Sequence, residues 1–292
     1  MENKKIGIVT VLYKSETVLE DFFRTLNEQS YRNFTLYVVD NKSPDNSLDK
    51  SKEFAKSVWF KTKFIENDDN YGVAKGNNQG IEAALKDKCD FVLLSNNDVV
   101  LKPDTIEKLY IGLMENNSDM AVPKIYIYGT SLIWMAGGKF TWHNGSNKHF
   151  GYKKEDEGQF DRCKKIGYAP TCFMLIKKEI FSTVGMMDEK YFVYYDDCDF
   201  IYRAMKKKQK LFYIYNSILE HKESTSTGVK SDFSMFYYIR NRIYFAKKHR
   251  HFFYFFYIEN LLYHYSIRWL KMISNKHQWK LMLRAMQEGA VL

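Results

Sequence analysis

The chain has 292 residues, 45% of them apolar and 27% charged, enough for one large α/β domain or a domain of about 200–230 residues with an appendage. Only 4 prolines and 4 cysteines, the latter without C-x-x-C spacing, exclude disordered, collagen-like, disulfide-scaffold and cysteine-zinc classes. The net charge of +9 is uneven: residues 201–292 hold 17 Lys and Arg against 5 Asp and Glu, while residues 1–200 hold 27 against 30, so the C-terminal third suits an anionic partner.

Ile6–Leu12 is a nearly unbroken β-branched run and reads as a buried parallel strand. Over 15–27, Val18, Leu19, Phe22, Phe23 and Leu26 share one helical face. A second strand is predicted over 34–39, ending in a turn-forming loop from Asp40 to Ser47. A helix over 48–55, a strand over 58–65, a loop at Asn70–Gly72 and a helix over 73–86 follow. The fourth strand, 91–94, runs into Ser95-Asn96-Asn97-Asp98. The next helix runs from Pro103, at a favoured first-turn position, to Asn116. This alternation predicts the α/β class: a doubly wound, Rossmann-like, mostly parallel sheet that binds ligands beyond the carboxyl ends of its strands. Asp40 and Asp98 sit at two such ends.

Beyond residue 120 the rhythm changes. Short strands are expected over 121–128, 132–134 and 137–140, with the polar stretch 143–162 as a loop over the site. A strand over 172–176 and a short helix over 179–184 precede the acidic run Asp196-Asp197-Cys198-Asp199. A helix over 200–208 and a strand over 211–218 come next. From Asp232 the chain reads as helical and aromatic, with a short amphipathic helix over 279–286.

Ordered motifs run through these elements. The first is Val9-Thr10-Val11 with Tyr13-Lys14. Val38-Val39-Asp40-Asn41 is followed by Ser43, Asp45, Asn46 and Ser47. Then come Asn70-Tyr71-Gly72-Val73-Ala74-Lys75-Gly76-Asn77-Asn78-Gln79-Gly80, Ser95-Asn96-Asn97-Asp98 and Tyr168-Ala169-Pro170-Thr171-Cys172. Gly185-Met186-Met187-Asp188-Glu189 leads to Asp196-Asp197-Cys198-Asp199 and Arg203, and His221 with Ser224 and Arg240-Asn241 close the series. Over roughly residues 6 to 245 this order resembles the family 2 glycosyltransferases with the GT-A fold, and within them the bacterial rhamnosyl- and galactofuranosyltransferase-like branch. Two positions depart from the pattern. Asn96 stands at the first Asp of the common D-x-D metal motif, and Asp196 stands where Glu is usual.

The resemblance implies an inverting transfer of a hexose from a nucleotide sugar, with rhamnose from dTDP-rhamnose as the first donor and UDP-linked galactose, galactofuranose, glucose or an N-acetylhexosamine as alternatives. It implies a divalent cation, Mn²⁺ or Mg²⁺, on Asp98 and His221; such ions take oxygen-rich donor sets and offset charge on a leaving diphosphate. Thr10, Tyr13, Asp40, Asn41, Asn70 and Lys75 are expected on the nucleotide sugar, as are Asn78, Asn96, Asn97 and Asp98. Arg240 either contacts the diphosphate or supports the fold. An attacking acceptor hydroxyl needs a carboxylate base, assigned to Asp197 by its place in the motif. Asp196 would orient acceptor or sugar, and Asp199 would pair with Arg203 four residues on. Trp134, Trp142 and Tyr168 either stack on sugars or pack.

The expected organisation is a catalytic unit over 1–230, with a nucleotide-sugar half (1–120) and an acceptor half (121–230), and a helical extension over 231–292. Residues 252–269 hold nine aromatics with flanking cations, which suits either an interfacial helix on anionic lipid or packing on the catalytic unit or a second subunit. The acceptor is expected to be a glycan, free or polyprenyl-diphosphate-linked. The opening segment lacks a signal-peptide cleavage pattern, and the apolar run 251–267 is broken by Glu259, Asn260 and His264. The expected place is the cytoplasm, with the inner membrane face as a variant. A nucleotidyltransferase would want a glycine- and lysine-rich phosphate loop, but residues 8–15 hold no glycine. A non-catalytic glycan- or membrane-binding protein is a further alternative, opposed by the retained carboxylates. No nucleic-acid-binding signature is present.

Overall fold

The structure, a computed structural model, describes residues 3–141, 146–222, 231–249 and 276–292. In chain order the first half runs β1 (Ile6–Leu12), α1 (Leu19–Asn27), β2 (Phe34–Asp40), α2 (Ser47–Phe54), β3 (Lys61–Glu66), α3 (Gly72–Lys86), β4 (Phe91–Ser95), β5 (Val99–Leu101) and α4 (Thr105–Glu115). The second runs β6 (Met120–Ile127), β7 (Ile133–Met135), β8 (Gly138–Thr141), β9 (Ser146–His149), β10 (Lys164–Lys165), β11 (Phe173–Lys177), α5 (Glu179–Thr183), α6 (Asp196–Lys206), β12 (Leu211–His221), α7 (Asp232–Lys248) and α8 (Lys276–Val291).

The main path of the ten-stranded sheet is β10-β12-β6-β11-β4-β1-β2-β3. The four N-terminal strands are mutually parallel, as the β/α alternation predicts, and β6 and β12 are also parallel to each other. β11 enters antiparallel between β4 and β6. It sets Phe173 opposite Ser95, and the Asn96 amide donates to the Cys172 carbonyl at 2.7 Å. β5, not anticipated from the sequence, pairs antiparallel with β12 and sets His221 opposite Val99.

Four local expectations change. The third strand starts at Lys61 rather than 58 and is a half-exposed edge, with Lys61 and Lys63 at alternate positions. The predicted loop 143–162 contains β9, which pairs with β8 through Gly138↔His149 to Thr141↔Ser146; its polar side chains hide a strand because an isolated hairpin has little core to face. α6 begins at Asp196, so the acidic run forms its first turn instead of preceding it, and carboxylates there favour the positive end of the helix dipole. The last helix extends over Lys276–Val291, beyond the predicted 279–286. Trp142, Ser224 and the aromatic stretch 252–269 lie outside the described residues. No helix among the described residues is long and apolar enough to cross a membrane.

α3 lies close on β1. A Cβ at Gly80 would come within 2.2 Å of Val9 Cγ1, so the glycine permits the approach. Gly80→Ala is expected to lower stability by about 1–3 kcal/mol through overpacking, measured by urea unfolding.

α7 joins the main core through Tyr244, Phe245 and Ala246, and packs Ile239 and Ile243 against Met282 and Ala285 of α8. Asp199, fully buried in α6, receives Arg203 Nε at 2.7 Å, Lys248 Nζ at 2.7 Å and His249 Nε2 at 2.8 Å. The Arg203 pairing is the expected one. Burial pushes the Asp199 carboxyl up, but His249, Arg203 and Lys248 outweigh it and bring it down to about 2. The folded-state value is depressed, so its stabilisation is complete above about pH 4 and is lost as pH falls toward 2. The expected loss across that window is on the order of 2 kcal/mol. Urea midpoints measured against pH should show a shallower acid slope in Asp199→Asn.

Candidate active site

A cavity of about 790 Å³ opens at the carboxyl ends of β1, β2 and β4. Of the residues singled out above, Tyr13, Asn41, Asn70, Asn96, Asn97 and Asp98 line it on the side of the N-terminal strands. Trp134, Tyr168, Asp196, Asp197 and His221 line it from the second half. The fold brings these two groups, about 100 residues apart in sequence, into one space.

Five expected residues do not line it. Asp40 is buried at the end of β2 and accepts the Ser43 amide on both oxygens, at 3.3 and 3.2 Å. Thr10 points into the interior, its hydroxyl without a partner among the described residues. Lys75 lies over the Tyr71 ring at 3.9 Å. Asn78 exchanges hydrogen bonds with the Met187 backbone at 2.9 Å each way and donates to Glu189 at 3.0 Å, tying α3 to the segment before α6. Arg240 donates to Asn241 Oδ1 and the Lys190 carbonyl, each at 2.8 Å. That is the fold-supporting side of its two readings.

The β5–β12 pairing places Asp98 beside His221. His221 Nε2 lies 3.1 Å from Asp98 Oδ1, and the Lys222 amide donates to the Asp98 carbonyl at 2.9 Å. Burial raises the Asp98 carboxyl, but the His221 hydrogen bond and charge, with help from a backbone amide and Asn96, hold it below its ordinary value. It is therefore ionised at neutral pH. His221 Nδ1 is buried with no partner among the described residues.

Asp196 and Asp197 open α6 directly after Tyr194 and Tyr195, whose φ values of 65° and 68° are left-handed. Such backbone costs about 1–3 kcal/mol per residue and persists only where its surroundings impose it. Here buried Asn241 donates to the Val193 and Tyr194 carbonyls at 2.7 and 2.9 Å, and the Val73 amide donates to the Phe192 carbonyl at 2.7 Å. Asp197 accepts the Tyr168 hydroxyl on Oδ2 at 2.5 Å and the Cys198 amide on Oδ1 at 2.7 Å. Tyr168 is only 2% exposed, so it holds a carboxylate and offers little ring face to a sugar. Burial, then the charge of Asp197, pushes the Asp196 carboxyl well above the usual range. The pair thus combines a neutral acid, Asp196, with a hydrogen-bonded carboxylate.

The sequence reading missed His149 and Asn147, which line the cavity from β9. Their two-residue spacing was the available signal, and it lay in the stretch taken for a loop. Burial lowers the His149 pKa and keeps the ring neutral. Trp134 stands edge-on between His149, at 4.8 Å, and His221, at 4.7 Å. Phe233 and Tyr238, from α7, also line the mouth.

Residues 7–185 match the sequence profile described as Glycosyl transferase family 2. The glycosyltransferase GlyG of Streptococcus pneumoniae is 23% identical over 79% of this chain and 74% of its own length. The dTDP-rhamnosyl transferase RfbF of Shigella flexneri is 26% identical over 70% of this chain and 64% of its own. GalNAc-T7, solved with UDP, GalNAc and Mn²⁺, superposes with a TM-score of 0.63 at 13% identity, covering 85% of this chain and 48% of that one.

Proposed function

The chain belongs to glycosyl transferase family 2 and has the GT-A fold, and from that premise we propose that it is an inverting, cation-assisted hexosyltransferase in glycan synthesis. The first donor assignment is dTDP-rhamnose; a UDP-linked galactose, galactofuranose or glucose is the second. One observation carries the reading: the Asp98–His221 pair and the Asp196–Asp197 pair open into the same cavity at the strand ends. The name of RfbF supports the rhamnose assignment, and the UDP and Mn²⁺ bound by GalNAc-T7 support the alternative donor and the cation.

Asp98 and His221 fit a divalent cation by their chemistry, an ionised carboxylate beside an imidazole whose Nδ1 has no hydrogen-bond partner among the described residues. No group of three or more His, Cys, Asp or Glu suited to a metal occurs among the described residues, and Asp98 and His221 are the residues that would hold the ion. Bound there, Mn²⁺ or Mg²⁺ supplies charge stabilisation to the departing diphosphate. Tyr13, Asn41, Asn70, Asn96 and Asn97 face the nucleotide sugar. Asp197 takes the proton of the acceptor hydroxyl as that oxygen bonds to the anomeric carbon and the bond to the diphosphate oxygen breaks. Protonated Asp196 donates to a hydroxyl of the acceptor or the sugar. The acceptor is a glycan, free or polyprenyl-diphosphate-linked. Residues 1–230 form the catalytic unit, divided at about 120 into donor and acceptor halves, with 231–292 as its helical extension.

Calorimetric titration with dTDP, UDP and GDP, each with and without Mn²⁺, tests this reading. The expected result is binding of dTDP or UDP that Mn²⁺ strengthens. Absence of nucleotide binding by folded protein would overturn it.

A further inference from the structure

Next to the active-site cavity lies a second space of about 740 Å³, an open groove. Trp134, Asn147 and His149 line both, so the two adjoin along the Trp134–His149 wall. Beyond that wall the groove runs over Phe150, Tyr152 and Phe160 and between Lys148 and Lys154. Its size alone is that of a full ligand site.

Charge separates the two spaces. The cavity presents three acidic side chains, the carboxylates Asp98 and Asp197 and the protonated Asp196, whereas no acidic side chain lines the groove. Lys148 and Lys154 are exposed and have no acidic partner among the described residues. Lys164 adds positive charge near the floor, with Nζ 4.8 Å from the centre of the Phe150 ring and 5.4 Å from that of Phe160. Of the four acids in this loop, Glu157 is exposed without an ion pair among the described residues, and the other three are engaged. Asp156 and Asp161 hold buried Lys124 at 2.6 and 2.5 Å, and Glu155 accepts the Ser131 hydroxyl at 2.5 Å.

The groove walls are tied together by several contacts. β9 is paired to β8, the Lys124 bridges anchor the loop over 156–161, and Gly151, at φ +76°, packs so closely that a Cβ would meet Phe160 at 2.9 Å. Flat aromatic faces in a preformed trough suit the apolar faces of sugar rings, and unpaired lysines along it suit negative charge.

We propose that this groove is an extended acceptor subsite that takes the inner units of an acidic oligosaccharide while its neutral, hydroxyl-bearing end enters the catalytic cavity. This rests on the transferase reading above and adds the acceptor class: a chain of more than one unit, with phosphate or carboxylate groups set back from the reacting end. The charge difference orients the chain. An acidic unit is repelled by the carboxylates of Asp98 and Asp197 in the cavity and drawn to Lys148 and Lys154.

The test is an array of neutral, phosphate-bearing and uronate-bearing oligosaccharides, probed with the full chain and with the Lys148→Glu/Lys154→Glu double variant, alongside calorimetry with dTDP and UDP. Acidic oligosaccharides are expected to bind about tenfold more tightly than neutral ones of equal length, and the double variant should lose that preference. The phosphate and uronate arms separate the two sources of charge. Retained nucleotide binding reports that the variant is folded. Tyr152→Ala, at a 46% exposed ring, should weaken acidic and neutral chains alike. The proposal is overturned if neutral and acidic chains bind equally, if the double variant binds as the parent does, or if a protein that binds nucleotide binds no oligosaccharide. Glycan binding without nucleotide binding would instead overturn the transferase reading and leave the groove standing.

Discussion

Asp197→Asn is expected to lower kcat by about a thousandfold, within the range general-base catalysis supplies, while nucleotide affinity stays near that of the parent. The amide keeps the shape of the carboxylate. Its oxygen can still accept the Cys198 amide, and its NH₂ can donate to the Tyr168 hydroxyl, which then becomes the acceptor. The local fold therefore survives while the proton acceptor is lost. Steady-state kinetics with the identified donor, paired with calorimetry, separates the two effects. A kcat within about tenfold of the parent would remove Asp197 from the role of base.

Asp98→Ala is expected to reduce nucleotide binding in Mn²⁺ to its metal-free level and to lower kcat/KM by about a hundredfold or more, since charge stabilisation by a cation is worth several kcal/mol. The variant also leaves His221 Nε2 without its partner at 3.1 Å. Asp98→Asn serves as companion: it preserves a hydrogen-bonding group beside the imidazole but not the negative charge. If calorimetry shows metal-enhanced binding intact in both variants, the cation does not sit on Asp98. Loss in the alanine variant alone would assign the effect to packing around His221.

The N-terminal half was the more legible. β1, β2 and β4 announce themselves as short apolar runs, and α1 as five apolar residues on one face. Their order suffices for a parallel sheet because α/β crossovers admit few topologies. The site was legible where motif residues end strands, as with Asn41 and Asp98. It was less so where a polar residue faces inward to hold another segment. Asn78 has the composition of a ligand-binding residue, yet its three hydrogen bonds go to Met187 and Glu189. Asp40 turns back to its own loop. Side-chain direction at such positions is decided by partners more than 100 residues away or by turn geometry, neither of which appears as a local pattern.

By itself the sequence determined the alternating sheet, the acidic strand-end and helix-start positions, and their family likeness, because periodicity and motif order are local properties of a chain. Only the tertiary structure decided which of those groups meet. β5 pairing with β12 sets Asp98 against His221, and Tyr168, bridged to Gly138 of β8, meets Asp197. The small β8–β9 sheet turns a polar stretch into the wall shared by cavity and groove. The physical reason is that strand pairing joins residues through backbone hydrogen bonds that carry little side-chain signature, so chemistry that depends on register becomes visible only once the strands are side by side.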